Sequence, residues 1–297
     1  MTIIFDTDPQ TPPNSDTAAA LALLNAHPDY RVLQSLSASQ CVAVDVPADT
    51  PTRVGTIVDV ETTGLDPLQD RIIELAVQRF RFTHDGLITK IEEPRVWRED
   101  PGFPLDATIR QLTGLTDADL VGETINDNVA TAVLRSVDVI IAHNARFDAR
   151  FVEERLQLIK GREWACSMSE VDWAARSFDG RKLGHLLMQC GYFHTAHQAE
   201  ADVLGVLHLL AHRTPDGRTA LGELIDRASA PTVRISVPYS YDIKDKLRRR
   251  GYRYDGNGAW CIEIAEAGVE AEQIWFHRIN YRGTPRFEVV TWLERHR

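Results

Sequence analysis

Cysteine is scarce in this chain of 297 residues: Cys41, Cys166, Cys190 and Cys261 stand apart, with no C-x-x-C pair. That spacing argues against a disulfide framework and against a zinc site, and fits free thiols in a reducing compartment. No apolar run approaches the length of a membrane span. The N-terminal stretch MTIIFDTDPQTPPNSD has no basic region and no long apolar core, so no signal peptide is expected there and a cytoplasmic protein is. Basic charge is also short. With a net charge of −10, the surface as a whole does not attract an anionic polymer, so such binding needs a local basic patch or a bound metal. The hydrophobic content of 43% is ordinary for a soluble globular protein.

What is present divides into three regions. Residues 1–51 read as an extension: a Pro-rich start, a helix through TAAALALLNA ended by His27-Pro28, then strand-like YRVLQSL and CVAVDV. Residues 52–229 begin with the apolar strand RVGTIVDVETTG. RIIELAVQRFRF and ITKIEEPRVWRE follow as two antiparallel strands, and then helices alternate with short strands. WACSMSEVDWAARSF reads as a strand end running into a helix, and HQAEADVLGVLHLLAHR as a helix. The order predicts an α/β fold, a mixed sheet covered by helices. Residues 230–297 form a small α+β module with 12 Lys and Arg against 9 Asp and Glu, the reverse of the chain's overall balance. Five of the seven tyrosines lie there, and KDKLRRRGYRYDGNGAW interleaves bases with aromatics. Arg248, Arg249 and Arg250 are candidates for gripping phosphates. A solvated helix end beside an ordinary aromatic core fits the same residues.

IVDVETTGLDP holds the sharpest signal. Asp59 and Glu61 lie two apart on an apolar strand, hence on one face. Two like charges there call for a cation, and a divalent metal is the simplest candidate. In IIAHNARFDARF, Asp148 follows a strand end, where α/β folds gather active-site groups, though a helix-dipole acid fits it too. In HQAEAD, Asp202 sits among apolar neighbours five residues after His197; a metal ligand explains it, and so does an exposed helix face.

Taken together, D-x-E-T-T-G, H-N-x-x-F-D and H-x4-D resemble the DEDD superfamily of 3′–5′ exonucleases in its histidine-containing branch, over roughly residues 52–212. That branch includes the epsilon proofreading subunits of DNA polymerase III and RNase T. The resemblance implies an RNase H-like fold and a catalytic set of Asp59, Glu61, Asp148, Asp202 and His197. It implies two Mg²⁺ or Mn²⁺ ions on the four acids, with His197 as general base and nucleoside 5′-monophosphates as product. Thr62, Thr63, Gly64 and Leu65 would hold the terminal nucleotide, with Leu65 against the base, and Asn144 would orient the catalytic loop. The implied substrate is a single-stranded nucleic-acid 3′ end, DNA in repair or proofreading, and the implied partners are DNA replication or repair proteins. An exoribonuclease and an inactive nucleic-acid-binding adaptor are the rivals. One departure stands out: LTGLT puts Thr113 where the family often has histidine.

Overall fold

The computed structural model describes residues 15–37, 42–194 and 198–297, with only the backbone of Ser15. The chain opens with helix α1 (Ser15–Ala26), β1 (Gln34–Ser35), β2 (Thr52–Thr62), β3 (Ile72–Thr83), β4 (Ile88–Ile91) and β5 (Arg95–Arg98). Helices α2 (Ala107–Thr113), α3 (Asp117–Leu120) and α4 (Asp127–Arg135) lead to β6 (Val139–Ala142), α5 (Ala145–Arg155) and β7 (Trp164–Cys166). Then come α6 (Leu183–Gln189), β8 (Tyr192–Phe193), α7 (Ala199–Leu210) and α8 (Ala220–Ser229). The last stretch holds β9 (Thr232–Pro238), α9 (Lys244–Arg249), β10 (Arg253–Tyr254), β11 (Ala259–Ala265), α10 (Val269–Arg278) and β12 (Arg286–Val290).

Among the described residues, β4-β3-β2-β6-β7 form a mixed sheet, with β5 also pairing to β3. β2 runs antiparallel to β3 and parallel to β6. Alternation along β2 splits the core in two. Ile57 joins Val203, Val206 and Leu210 of α7 and Leu221 and Leu224 of α8 on one face. Val58 and Val60 join Val133 and Leu134 of α4 and Phe151 and Val152 of α5 on the other. Asp59 and Glu61 share the Ile57 side, so the strand period aims both at the layer that contains α7. Local chemistry starts the helices: Asp106 accepts from the Thr108 N–H, Asn126 from Val129 and Thr219 from Gly222.

Several sequence expectations need correction. ITKIEEPRVWRE is two strands, because Pro94 lacks the donor a continuous ladder needs, and both halves pair with β3. Residues 170–177 form turns instead of a helix; the Trp173 indole donates to the Ser167 carbonyl, and Ser177 adopts φ 68°. Residues 42–46 form no strand, although the Val44 N–H donates to the Ile88 carbonyl. Thr113 is buried, its hydroxyl bonded to the Ile109 carbonyl and the Leu115 N–H, and it closes the turn through Gly114.

A second sheet, β10-β11-β9-β12, is antiparallel throughout. Its core is separate: Val233, Ile235, Val237 and Trp260 pack on Leu247, Tyr252 and Phe276. The chain's last residues then return to the first body. Trp292 packs against the α7–α8 core, Arg295 and His296 meet Glu170, and Arg297 meets Glu153. Cys166, Cys190 and Cys261 are free. Among the described residues no helix is long and apolar enough to cross a membrane.

Candidate active site

The site is built where β2 ends. Asp59 lies opposite Ala76 on β3, and Glu61 lies opposite Glu74. From the layer above, α7 brings Asp202. Ligand oxygens of Asp59, Glu61 and Asp202 lie within 4.8 Å of one another. Asp148, in the first turn of α5, is buried beside them, and its Oδ1 accepts the Val60 N–H at 3.2 Å. All four acids singled out in the sequence therefore converge, three as one cluster and Asp148 against the strand that carries two of them.

Their electrostatics are those of a site crowded with negative charge. Burial raises Asp59 well above the usual carboxylate range, and Asp148, Asp202, Glu61 and Glu74 add repulsion. Burial pushes Glu61 up to about 8, with Asp202, Glu74 and Asp148 adding to it. Burial takes Asp148 up to about 7 even though the Val60 N–H favours its charged form. Four carboxylates with oxygen-only donors, desolvated and repelling one another, fit a hard divalent cation and do not fit a soft or thiolate-bound metal.

Two neighbours went unnoticed in the sequence. The His194 Nε2 lies 2.7 Å from the Asp202 Oδ1, with its side chain almost fully buried. Glu74 is buried as well; it accepts the Ala199 N–H at 3.1 Å and the Arg98 Nε at 2.9 Å, and so holds the first residue of the helix that carries Asp202. RIIELAV reads only as an apolar strand, and its one internal acid is the signal that could have marked Glu74. His197, the expected base, lies outside the described residues. His143 is tied by Ser167 Oγ at 2.9 Å and the Arg181 carbonyl at 2.7 Å, and burial drives it down to about 4, so it braces the loop in neutral form.

The segment after the acids is ordered by its own bonds. Thr62 Oγ1 donates to the Gly64 carbonyl, and Thr63 Oγ1 donates to Asp70 and accepts from the Arg71 N–H. A Cβ on Gly64 would stand within 2.5 Å of the Asp70 carboxylate, so glycine is needed there for packing within the loop. Leu65 is 81% exposed, an apolar side chain on the loop that follows Asp59 and Glu61. Asn144 stands exposed at the head of α5, where its carbonyl accepts the Phe147 N–H. In the C-terminal body, Arg250 is engaged with Glu272 at 2.8 Å and lies over the Trp275 ring, while Arg248 pairs with Asp245.

A carboxylate cluster at a sheet end, framed by helices on both faces, is a site whose donors fit a divalent cation. Residues 56–210 match the family model RNase T, exonuclease, and the chain belongs to that exonuclease family. It is 28% identical over 188 residues to DNA polymerase III subunit epsilon of Treponema pallidum, covering 60% of this chain and 85% of that protein. It is 40% identical over 98 residues to the PolC-type DNA polymerase III of Listeria welshimeri, but spans only 6% of that protein's length. Among solved structures it is similar to an E. coli ExoI–ssDNA complex, with a TM-score of 0.48 and 16% identity over 77% of this chain and 68% of that one.

Proposed function

We propose that this chain is a divalent-metal-dependent 3′–5′ exonuclease that shortens single-stranded DNA from its 3′ end and releases nucleoside 5′-monophosphates. The observation that carries the reading is the convergence of Asp59, Glu61 and Asp202 within 4.8 Å, with Asp148 buried alongside, in a chain of the exonuclease family. Asp59, Glu61, Asp202 and Asp148 would hold two Mg²⁺ or Mn²⁺ ions. Bound ions would neutralise the scissile phosphate, make water more acidic and stabilise the departing oxygen.

The chain's own groups supply the rest. His194 fixes the rotamer of Asp202, and Glu74 fixes the helix beneath it. His197, five residues before Asp202 in the chain, is the proposed general base, an imidazole suited to moving a proton near neutral pH. Exposed Leu65 offers an apolar face to the terminal base, and the Thr62–Gly64 turn sets its position. The DNA-polymerase names of the relatives favour a proofreading or repair setting with replication proteins as partners, and such a setting is cytoplasmic.

Digestion of 5′-labelled DNA and RNA strands with Mg²⁺, Mn²⁺ or EDTA tests this. A ladder that shortens from the 3′ end on DNA, and stops in EDTA, is expected. Faster cleavage of RNA would reverse the substrate assignment, and no cleavage of either would leave a nucleic-acid-binding adaptor.

A further inference from the structure

The second sheet has one face packed on α9 and α10 and one face turned toward the nuclease body. Strand register decides what lies on the second face. One cross-strand row reads Arg253, Cys261, Ser236, Arg286, on β10, β11, β9 and β12 in order. The two central side chains are small, and the two outer ones are long and cationic. Four strands at a spacing of about 4.8 Å put the arginines on opposite banks of a shallow trough. The next row places Arg234 between Glu263 and Glu288.

A cavity of about 760 Å³ lies over this face, lined by Arg253, Cys261 and Ser236 on the sheet and by Arg146 from α5. Arg146 and buried Asp148 both stand in the first turn of α5, so the helix that lines the cavity also carries one of the clustered acids. Of the cations around it, Arg295 and Arg297 are spent on Glu170, Glu263 and Glu153. Arg146 and Arg253 on the cavity wall, and Arg286 on the outer strand β12 beyond it, are exposed and, among the described residues, have no side-chain hydrogen bond or ion pair. The acids are largely engaged too: Asp255 holds the Asn257 and Ala259 N–H groups, and Glu263 holds Arg295. Glu288 is the carboxylate left to oppose an anion. Tyr254 pairs across strands with Trp260, so its half-exposed ring lies on the other face of the sheet, against Trp260 and Tyr239.

We propose that this trough is a binding track for the phosphate backbone of a single-stranded nucleic acid whose 3′ end lies at Asp59, Glu61 and Asp202. Unspent arginines in a row grip phosphates. The track rests on the exonuclease reading for its direction, and its sheet residues lie outside the 56–210 family match. It also differs from the arginine run that the sequence draws attention to, since Arg248 and Arg250 are already paired within the module.

The test is binding of a fluorescent oligothymidylate, long enough to cross trough and site, to the full chain in EDTA across a salt series. Doubly substituted Arg253→Ala/Arg286→Ala protein is expected to bind more weakly, with the salt slope reduced by about 0.7 for each phosphate that is no longer neutralised. Glu288→Gln is expected to bind more tightly. With Mg²⁺ restored, the double variant should cut a dinucleotide at the wild-type rate and the long strand with a raised KM. Unchanged affinity and salt slope in the double variant overturn the track. An equal loss on dinucleotide and long strand also overturns it, because the effect then reaches the acids through the fold. A wild-type chain that binds the long strand in EDTA, yet cuts nothing with any divalent ion, sinks the exonuclease reading and leaves the track standing.

Discussion

Two groups of buried acids face opposite problems in this molecule. At the end of β2, Asp59, Glu61, Asp148 and Asp202 crowd together, and repulsion among them adds to burial in raising Asp59. Glu153 and Glu170 at the C-terminal return and Glu223 on α8 are buried too, yet each meets an arginine: Arg297, Arg295 and Arg176. The second group is balanced within the chain. In the first, the carboxylates repel one another even though His194 meets Asp202, so burial alone does not mark a site; burial among like charges does. Glu153 and Glu170 tie the C-terminal return to the first body and Glu223 ties α8 to the turns after Cys166, whereas the clustered acids, on the proposed reading, would hold a place for metal at a cost to the metal-free fold.

The sharpest way to break the contrast is Asp59→Asn. Removing the most burdened charge should abolish hydrolysis down to the EDTA background while raising Tm in EDTA, measured by product release and thermal melting on the same sample. Lost activity with a lowered metal-free Tm would mean that the acid was structural after all.

The pH dependence separates Glu61 from Glu170 by sign. Glu61 has its proton affinity raised to about 8 from 4.5. Below about 4.5 it is protonated folded or unfolded, and nothing is lost; as pH rises through the window to about 8, the metal-free fold loses stability. Tm of Glu61→Gln protein in EDTA should therefore exceed wild type by a margin that opens across that window. Glu170 behaves in reverse. Burial would raise it, but bonds from His296, the Cys166 N–H and Arg295 outweigh that and hold it below 4.5. Its contribution is present above 4.5 and is lost as pH falls through its lowered value.

Arg295→Ala strips Glu170 and Glu263 of a buried partner that also bonds the Ala228 and Ala230 carbonyls. Breaking one side of such a pair costs about 3–5 kcal/mol. Denaturant unfolding should show that loss at neutral pH and a shrinking gap to wild type as pH falls below 4.5, the ordinary value from which Glu170 is depressed. A gap that stays constant into acid would remove Glu170 from the anchor.

How much of this was legible follows from what each residue interacts with. Asp59 and Glu61 announced themselves because carboxylates stand out in an apolar strand of period two, and D-x-E-T-T-G fixes their place. Asp148 and Asp202 were legible through spacing from other motif residues. Glu74 and His194 were not: their roles come from pairing across β2–β3 and from the packing of α7, and neither leaves a local pattern. The turn-rich stretch after Cys166 was misread as helix because WAARSF has helix-forming composition, while the Trp173–Ser167 bond and the Arg176–Glu223 pair impose another path. In the C-terminal region, contiguous arginines drew the eye, whereas Arg253 and Arg286 become neighbours on one face only through strand register.

Glu74 sharpens the comparison most finely, because it belongs to both groups. It adds repulsion to Asp59 and Glu61, yet it is paired with Arg98 and accepts the first N–H of α7. Glu74→Ala leaves the Ala199 N–H buried without an acceptor. A hydrogen bond to a charged group is worth about 1.5–3 kcal/mol, a smaller effect than the loss of Arg295. Glu74→Gln keeps an oxygen for that N–H and removes the charge. If Glu74 is a positioning residue for Asp202, the alanine variant should lose kcat and bind metal more weakly, and the glutamine variant should recover most of both. Metal affinity by calorimetry distinguishes this from a bulk stability effect. Two variants that are equally stable but equally slow would assign Glu74 to the charge balance of the site, and two that match wild type in metal binding would confine it to the structural group.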